Sequence, residues 1–188
     1  MRQALMCAAI GICALASGCS SLTAPNYSAD YAAVDALKRS GLGKAAVNKV
    51  QPEDAAAKVN RITLRGSGLT AGEGTFSRYV EKAIISDLQE AGLYDPNEAR
   101  RIDAVLLQND IDVSGLSQGI GQIEIELTVT RSGTRLLKKT YAARTTFDSS
   151  FAGAVAIPKG QTEYPNLVRS LLSKVYRDPE FLQAMRPQ

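Results

Sequence analysis

Residues 122–141 read QIEIELTVTRSGTRLLKKTY. Ile123, Ile125, Leu127 and Val129 alternate with Gln122, Glu124, Glu126 and Thr128, which is the period of a strand with one buried and one wet face. Leu137, Tyr141 and Phe147 continue the alternation in a second strand. A two-residue Ser132-Gly133 turn would set Leu127 opposite Lys138, an apolar side chain against a charged one. A three-residue loop of Arg131, Ser132 and Gly133 instead pairs Leu127 with Leu137, Ile123 with Tyr141 and Glu126 with Lys138, and this register is the expectation. A preceding strand places Val105, Leu107, Ile111 and Val113 on one face.

Two helical patterns flank this meander. Phe76, Tyr79, Val80, Ala83, Ile84, Leu88 and Ala91 recur at spacings of three and four, with Thr75 as N-cap and Gly92 as the stop. Tyr164, Leu167, Val168, Leu171, Leu172 and Val175 do the same on the far side, with Thr162 as N-cap and Pro165 in the first turn. Asp178 and Pro179 open a short terminal helix, and Asp95, Pro96 and Glu98 predict a short helical turn. Residues 61–65 alternate as one more strand. The order strand, helix, meander, helix predicts an α/β fold of the α+β type. It is a two-layer sandwich whose mainly antiparallel four-stranded sheet carries two long helices on one face, over residues 59–188.

Residues 19–58 are rich in alanine and polar groups and are interrupted by Pro25, Gly41, Gly43 and Pro52. They are expected to form a tether with short helices. Tyr31, Val34, Leu37 and Lys38 line a helix from about Ala29 to Ser40, and Pro52, Glu53 and Asp54 suit the opening of another.

Ahead of them, residues 1–18 have the layout of a secretory signal, with one positive charge at Arg2 and an uncharged apolar stretch from Ala4 to Ala16. Thirteen residues of that kind are too short to span a bilayer. Removing them takes away Arg2 alone from 22 basic side chains, leaving 21 against 19 acidic ones, a net charge of +2. Neither a basic run nor an aromatic series suggests nucleic acid. Of three cysteines, Cys7 and Cys13 leave with the signal, so Cys19 alone remains and no thiol pair is expected in the exported protein. Histidine, the usual general base and commonest metal ligand, does not occur in the sequence.

Several residues invite a reading as sites. Gly66, Gly68 and Ala71 match the spacing of a dinucleotide fingerprint, but that motif needs a parallel βαβ unit, and Asp87, about twenty residues on, falls inside a helix. Asp110 with Asp112 and Glu124 with Glu126 share strand faces, where a solvated sheet near Lys138 and Arg144 is the plainer reading. Ser149 and Ser150 lack the context of a hydrolase nucleophile and would need Lys159 as base. No catalytic, metal or cofactor site is therefore expected. The apolar segment 151–158 is the anomaly: Phe151, Val155 and Ile157 either tuck under a helix or form a contact loop for a partner or for lipid.

Leu15, Ala16, Ser17, Gly18 and Cys19 resemble the lipobox of bacterial lipoproteins. The resemblance implies cleavage before Cys19, lipidation of its thiol and, with Ser20 and Ser21 following, residence at the outer membrane facing the periplasm. With the element order, it is similar to the small α/β lipoproteins of Gram-negative envelopes, such as the lipopolysaccharide-assembly and ABC-transport auxiliary lipoproteins. That implies a non-enzymatic accessory anchored by lipid, with an envelope protein as partner. A carrier of lipid or of a small apolar ligand is one alternative, and an enzyme of unrecognised type, disfavoured by the missing histidine and thiol, is the other.

Overall fold

Alternation in residues 100–148 produces the larger of two sheets in a computed structural model that describes residues 22–187. Strands β5 (Arg100–Asp112), β6 (Gln118–Arg131) and β7 (Thr134–Asp148) pair antiparallel, and β2 (Ala46–Val47) joins the edge of β5 in parallel. The expected β6 face is buried, with Ile123, Ile125, Leu127 and Val129 at most 1% exposed.

The register differs from expectation at two bulges. The β6–β7 turn is the two-residue Ser132-Gly133 one, with Arg131 opposite Thr134 and both turn residues at positive φ, 47° and 82°. An irregularity between Val129 and Thr130 then takes up one extra residue of β7, Leu136, and sets apolar against apolar at three positions, Val129 facing Leu137, Ile125 facing Tyr141 and Ile123 facing Ala143, while Leu127 faces Lys139. Glu126 lies opposite Thr140 and reaches Lys138 diagonally at 3.0 Å. In β5 a bulge at Leu107 separates two pairings. Ile102, Ala104 and Leu106 face inward before it, and Ile111 and Val113 after it, so Val105 is only half-buried and Leu107 is 46% exposed.

A second sheet, absent from the expectation, has the order β1-β4-β3, with β1 (Leu22–Ala24) parallel and β3 (Ile62–Leu64) antiparallel to β4 (Ser67–Ala71). The described residues thus form two mixed sheets, of three and four strands, with four helices, in place of one antiparallel sheet under two helices.

Helices α2 (Phe76–Glu90) and α3 (Gly153–Arg177) bury the expected stripes. Thr75 caps α2 by accepting from the Arg78 N–H at 3.1 Å, and Gly92 follows it in the left-handed region. Helix α3 begins at Gly153, so Thr162 is internal and its hydroxyl donates to the Pro158 and Lys159 carbonyls. It runs through Pro158 and Pro165 because Ala156, Gly160, Tyr164 and Leu167 are packed on the sheets, and tertiary packing overrides local propensity. At Gly160 the backbone approaches so closely that an added Cβ would lie 2.7 Å from Val113 Cγ1. Helix α4 (Pro179–Ala184) starts at the expected N-cap, Asp178.

The tether needs the largest correction. Helix α1 (Tyr31–Arg39) lies within the expected span and buries Ala33, Val34 and Leu37, while Ala45 and Val50 are at most 1% exposed, so the described part of the segment expected as a tether, from Leu22 on, packs into the same core as the rest. Tyr31, expected on that face, is 75% exposed. No helix opens at Pro52, and residues 95–98 form a turn closed by the Glu98 N–H on the Asp95 carbonyl. Burying Leu37 alone contributes roughly 2 kcal/mol.

Candidate functional site: an apolar tip gathered by Arg65

The β3–β4 turn is two residues long, Arg65 and Gly66, with φ of 49° and 86°. A left-handed arginine is uncommon, and this one is held by its own side chain. Nε donates to the Val113 carbonyl at 2.9 Å, Nη1 to Phe151 at 2.5 Å, and Nη2 to Ser150 at 3.0 Å and to Gly115 at 3.4 Å. A guanidinium can do this because its donors form a planar fork. The guanidinium carbon also stands 5.9 Å from the Phe151 ring centroid. One side chain thus ties the β3–β4 turn to the β5–β6 loop and to the start of α3.

What it gathers is apolar and open. Leu116 is 75% exposed, Phe151 73% and Val155 47%. The segment left open between core and contact surface divides: Ala156 is fully buried and Ile157 half-buried, while Phe151 and Val155 face outward. It is the entry and first turns of α3, not a loop. Strand β1 points the same way, since Leu22 lies beside Leu69 in parallel and its N-terminal end faces the Arg65-Gly66 turn.

The other candidates do not converge. Gly66 and Gly68 belong to an antiparallel hairpin, so the backbone of a dinucleotide site is not formed. Asp110 and Asp112 are exposed, and hydrogen bonds from Ser114 hold Asp112 below the usual carboxylate range. Among the described residues no three acidic side chains gather as a metal site. The Ser150 hydroxyl accepts from the Ala152 N–H at 3.1 Å, and the Ser149 N–H donates to Ser117. Cys19 and the signal lie outside the described residues.

Sequence reading missed a buried carboxylate. Asp87 on α2 is 2% exposed and accepts from the Tyr27 hydroxyl at 2.9 and 3.1 Å. Burial pushes it up to about 6, against the hydrogen bonds from Tyr27 that lower it. Its position gave a signal, because residue 87 falls on the stripe of Ala83, Ile84 and Leu88. With Tyr79 donating to the Pro25 carbonyl, Gln161 to Thr23 and Arg169 to Ser28, it fastens residues 22–29 along α2 and α3. Those contacts advance from residue 161 to 169 as the strap runs from 23 to 28, again placing its start at the α3 entry. An open groove of about 680 Å³ lies beside this strap, lined by Asp30, Tyr31, Asn166, Arg169, Lys174 and Arg177 among others.

No protein-family model and no curated protein matches the sequence. Among solved structures, the fold is similar to that of a Xanthomonas campestris protein assigned to the family DUF330, at 12% identity over 71% of this chain and 84% of that one, with a TM-score of 0.47. It is also similar to a Caulobacter crescentus protein provisionally described as a lipoprotein, at 11% identity over 84% and 99% of the two chains, with a TM-score of 0.44. A third structure, of a protein with no stated function, has 10% identity over 79% and 97%, with a TM-score of 0.44.

Proposed function

We propose that the chain is a lipoprotein of the bacterial envelope, acylated on Cys19, facing the periplasm from the outer membrane, and acting without catalysis as an interaction or accessory module in envelope assembly or transport. The observation that carries this is the run Leu15 to Cys19 at the end of an export signal, followed within three residues by a strand built into the domain. Two or more acyl chains hold a protein stably at a bilayer, where one holds it marginally. The chemistry of the remaining side chains agrees with a role in contact, since the sequence has no histidine and its exposed carboxylates stand on a wet sheet face.

A carrier with its ligand between helix and sheet is the weaker reading. Tyr164, Leu167 and Leu171 are fully buried at that interface and Gly160 meets β5 in contact, so the space is filled by side chains. Labelled palmitate and membrane fractionation test the proposal. Wild type is expected to incorporate label and sediment with outer membrane, and Cys19→Ala to do neither. Incorporation that persists in Cys19→Ala, or wild type without label, ends it. Crosslinking in whole envelopes then identifies the partner, and recovery of the protein alone under every condition removes the accessory role.

A further inference from the structure

The geometry points to a second membrane contact: the tip formed by Leu116, Phe151 and Val155 seats in the same leaflet of the bilayer that the lipid anchor enters, and so fixes how the domain stands. This rests on the reading of Cys19 as the anchor. Leu22 lies three positions beyond Cys19, a distance that chain geometry limits to about 11 Å. Leu22 is the end of β1 nearest the Arg65-Gly66 turn, and Arg65 bonds the two segments that carry Leu116 and Phe151. Any bilayer that holds the acyl chains is therefore held against this end of the molecule. The side chains there suit it: two large apolar groups about three-quarters exposed, on separate connections, with a half-exposed valine beside them. Exposed apolar patches of this kind mark contact surfaces.

Charge specifies the mode of contact. Arg65 and Lys159 near the tip are matched by Asp112 and Asp148, the last residues of β5 and β7, and all four are exposed. The tip is balanced, so apolar insertion and not attraction to anionic headgroups is the driving term. Strand β6 spans about 45 Å over its 14 residues, so the Ser132-Gly133 turn, helix α4 and the wet face of the larger sheet project into the periplasm, where a protein partner meets them.

The absence of tryptophan from the sequence gives a direct test. Phe151→Trp and, separately, Leu116→Trp each install a single fluorophore at an exposed tip position, and Thr134→Trp places the reference at the far turn. The full-length processed protein is reconstituted into vesicles of phosphatidylethanolamine and phosphatidylglycerol, with and without brominated acyl chains, and mass spectrometry of the same samples reads acylation of Cys19. The expected result is acylated protein in which emission from the two tip variants shifts to the blue and is mostly lost to bromine, while emission from the far-turn variant is unchanged, at every phosphatidylglycerol content. Acylated protein with unquenched tip fluorophores overturns the inference and leaves the anchor standing. A blue shift without bromine quenching assigns the tip to a second copy of the chain and overturns it also. Quenching only at high phosphatidylglycerol content overturns the apolar mode, and absence of acylation overturns anchor and inference together.

Discussion

At one end of the molecule Arg65 is exposed and donates to four main-chain carbonyls; at the other, Arg100 is 3% exposed and donates to two, those of Lys44 and Arg186, at 3.1 and 2.5 Å. Neither relies on a carboxylate in these contacts. Arg100 is enclosed because the chain closes over it: Phe181 and Met185 are at most 1% exposed, and an added Cβ on Gly43 would lie 2.3 Å from its Nη1. Burial and the neighbouring Arg131 hold its pKa below the usual guanidinium value. Around Arg65 the same chemistry collects three connections and leaves their apolar side chains outside. The difference separates a staple that completes a core from one that shapes a surface.

Arg100→Ala is the severest test of that contrast. It removes two charge-assisted hydrogen bonds, leaves the Lys44 and Arg186 carbonyls without these donors and opens space under α4, which together cost ~3 kcal/mol. Thermal unfolding is expected to fall by roughly 6–12 °C for a domain of this size. A loss below about 1 kcal/mol would place Arg100 in the same class as a surface residue and erase the contrast.

Between the two ends runs the strap of residues 22–29, held by Asp87. Its folded value of about 6 lies above the ordinary 3.8, so the folded state keeps a proton that the unfolded chain has released. The stability from this group is full below about pH 4 and is lost as pH rises through 6. The difference is worth on the order of 2–3 kcal/mol at most. Asp87→Asn keeps an acceptor for the Tyr27 hydroxyl and carries no charge. It is expected to flatten the melting profile between pH 4 and 7, and an unchanged slope would assign the pH dependence elsewhere.

Sequence reading reached the faces of β6 and β7 because burial on one side imposes alternation directly on side-chain type. It failed at Val105 and Leu107, which continue the alternation toward Ile111, because a bulge inserts one residue without changing composition. It rejected the Ser132-Gly133 turn because Leu127 would face a lysine, yet the turn forms: the extra Leu136 brings Leu137, Tyr141 and Ala143 opposite Val129, Ile125 and Ile123, and Leu127 still faces a lysine, Lys139. Residues 67–71 drew notice only through Gly68 and Ala71 in the spacing of a fingerprint, yet they form the strand that receives β1. Phe151, Val155 and Ile157 drew notice through apolarity, but only the packing of Ala156 and Gly160 decides which of them turn outward. Arg65 and Arg100 gave no signal, because their partners are main-chain carbonyls, which no side-chain pattern encodes.

Arg65→Ala is expected to be milder than Arg100→Ala, at ~1 kcal/mol, because three of the four released carbonyls, those of Gly115, Ser150 and Phe151, belong to residues with access to water, which replaces the guanidinium there. Arg65→Lys recovers little of this, since an ammonium has no planar fork to span Val113, Ser150 and Phe151. Proteolysis or hydrogen exchange of residues 113–118 and 149–153 reads the effect more sharply than melting, because the staple acts on local opening. The smallest effects belong to the side chains it presents. Phe151→Ser and Val155→Ser are expected to move stability by less than about 0.5 kcal/mol, as substitutions at exposed positions do. Ile157→Ser, half-buried two residues on from Val155, costs ~1 kcal/mol by lost apolar burial. Urea unfolding of the three variants orders them, and a cost at Phe151 equal to that at Ile157 would make the tip part of the core and leave both ends of the molecule sealed.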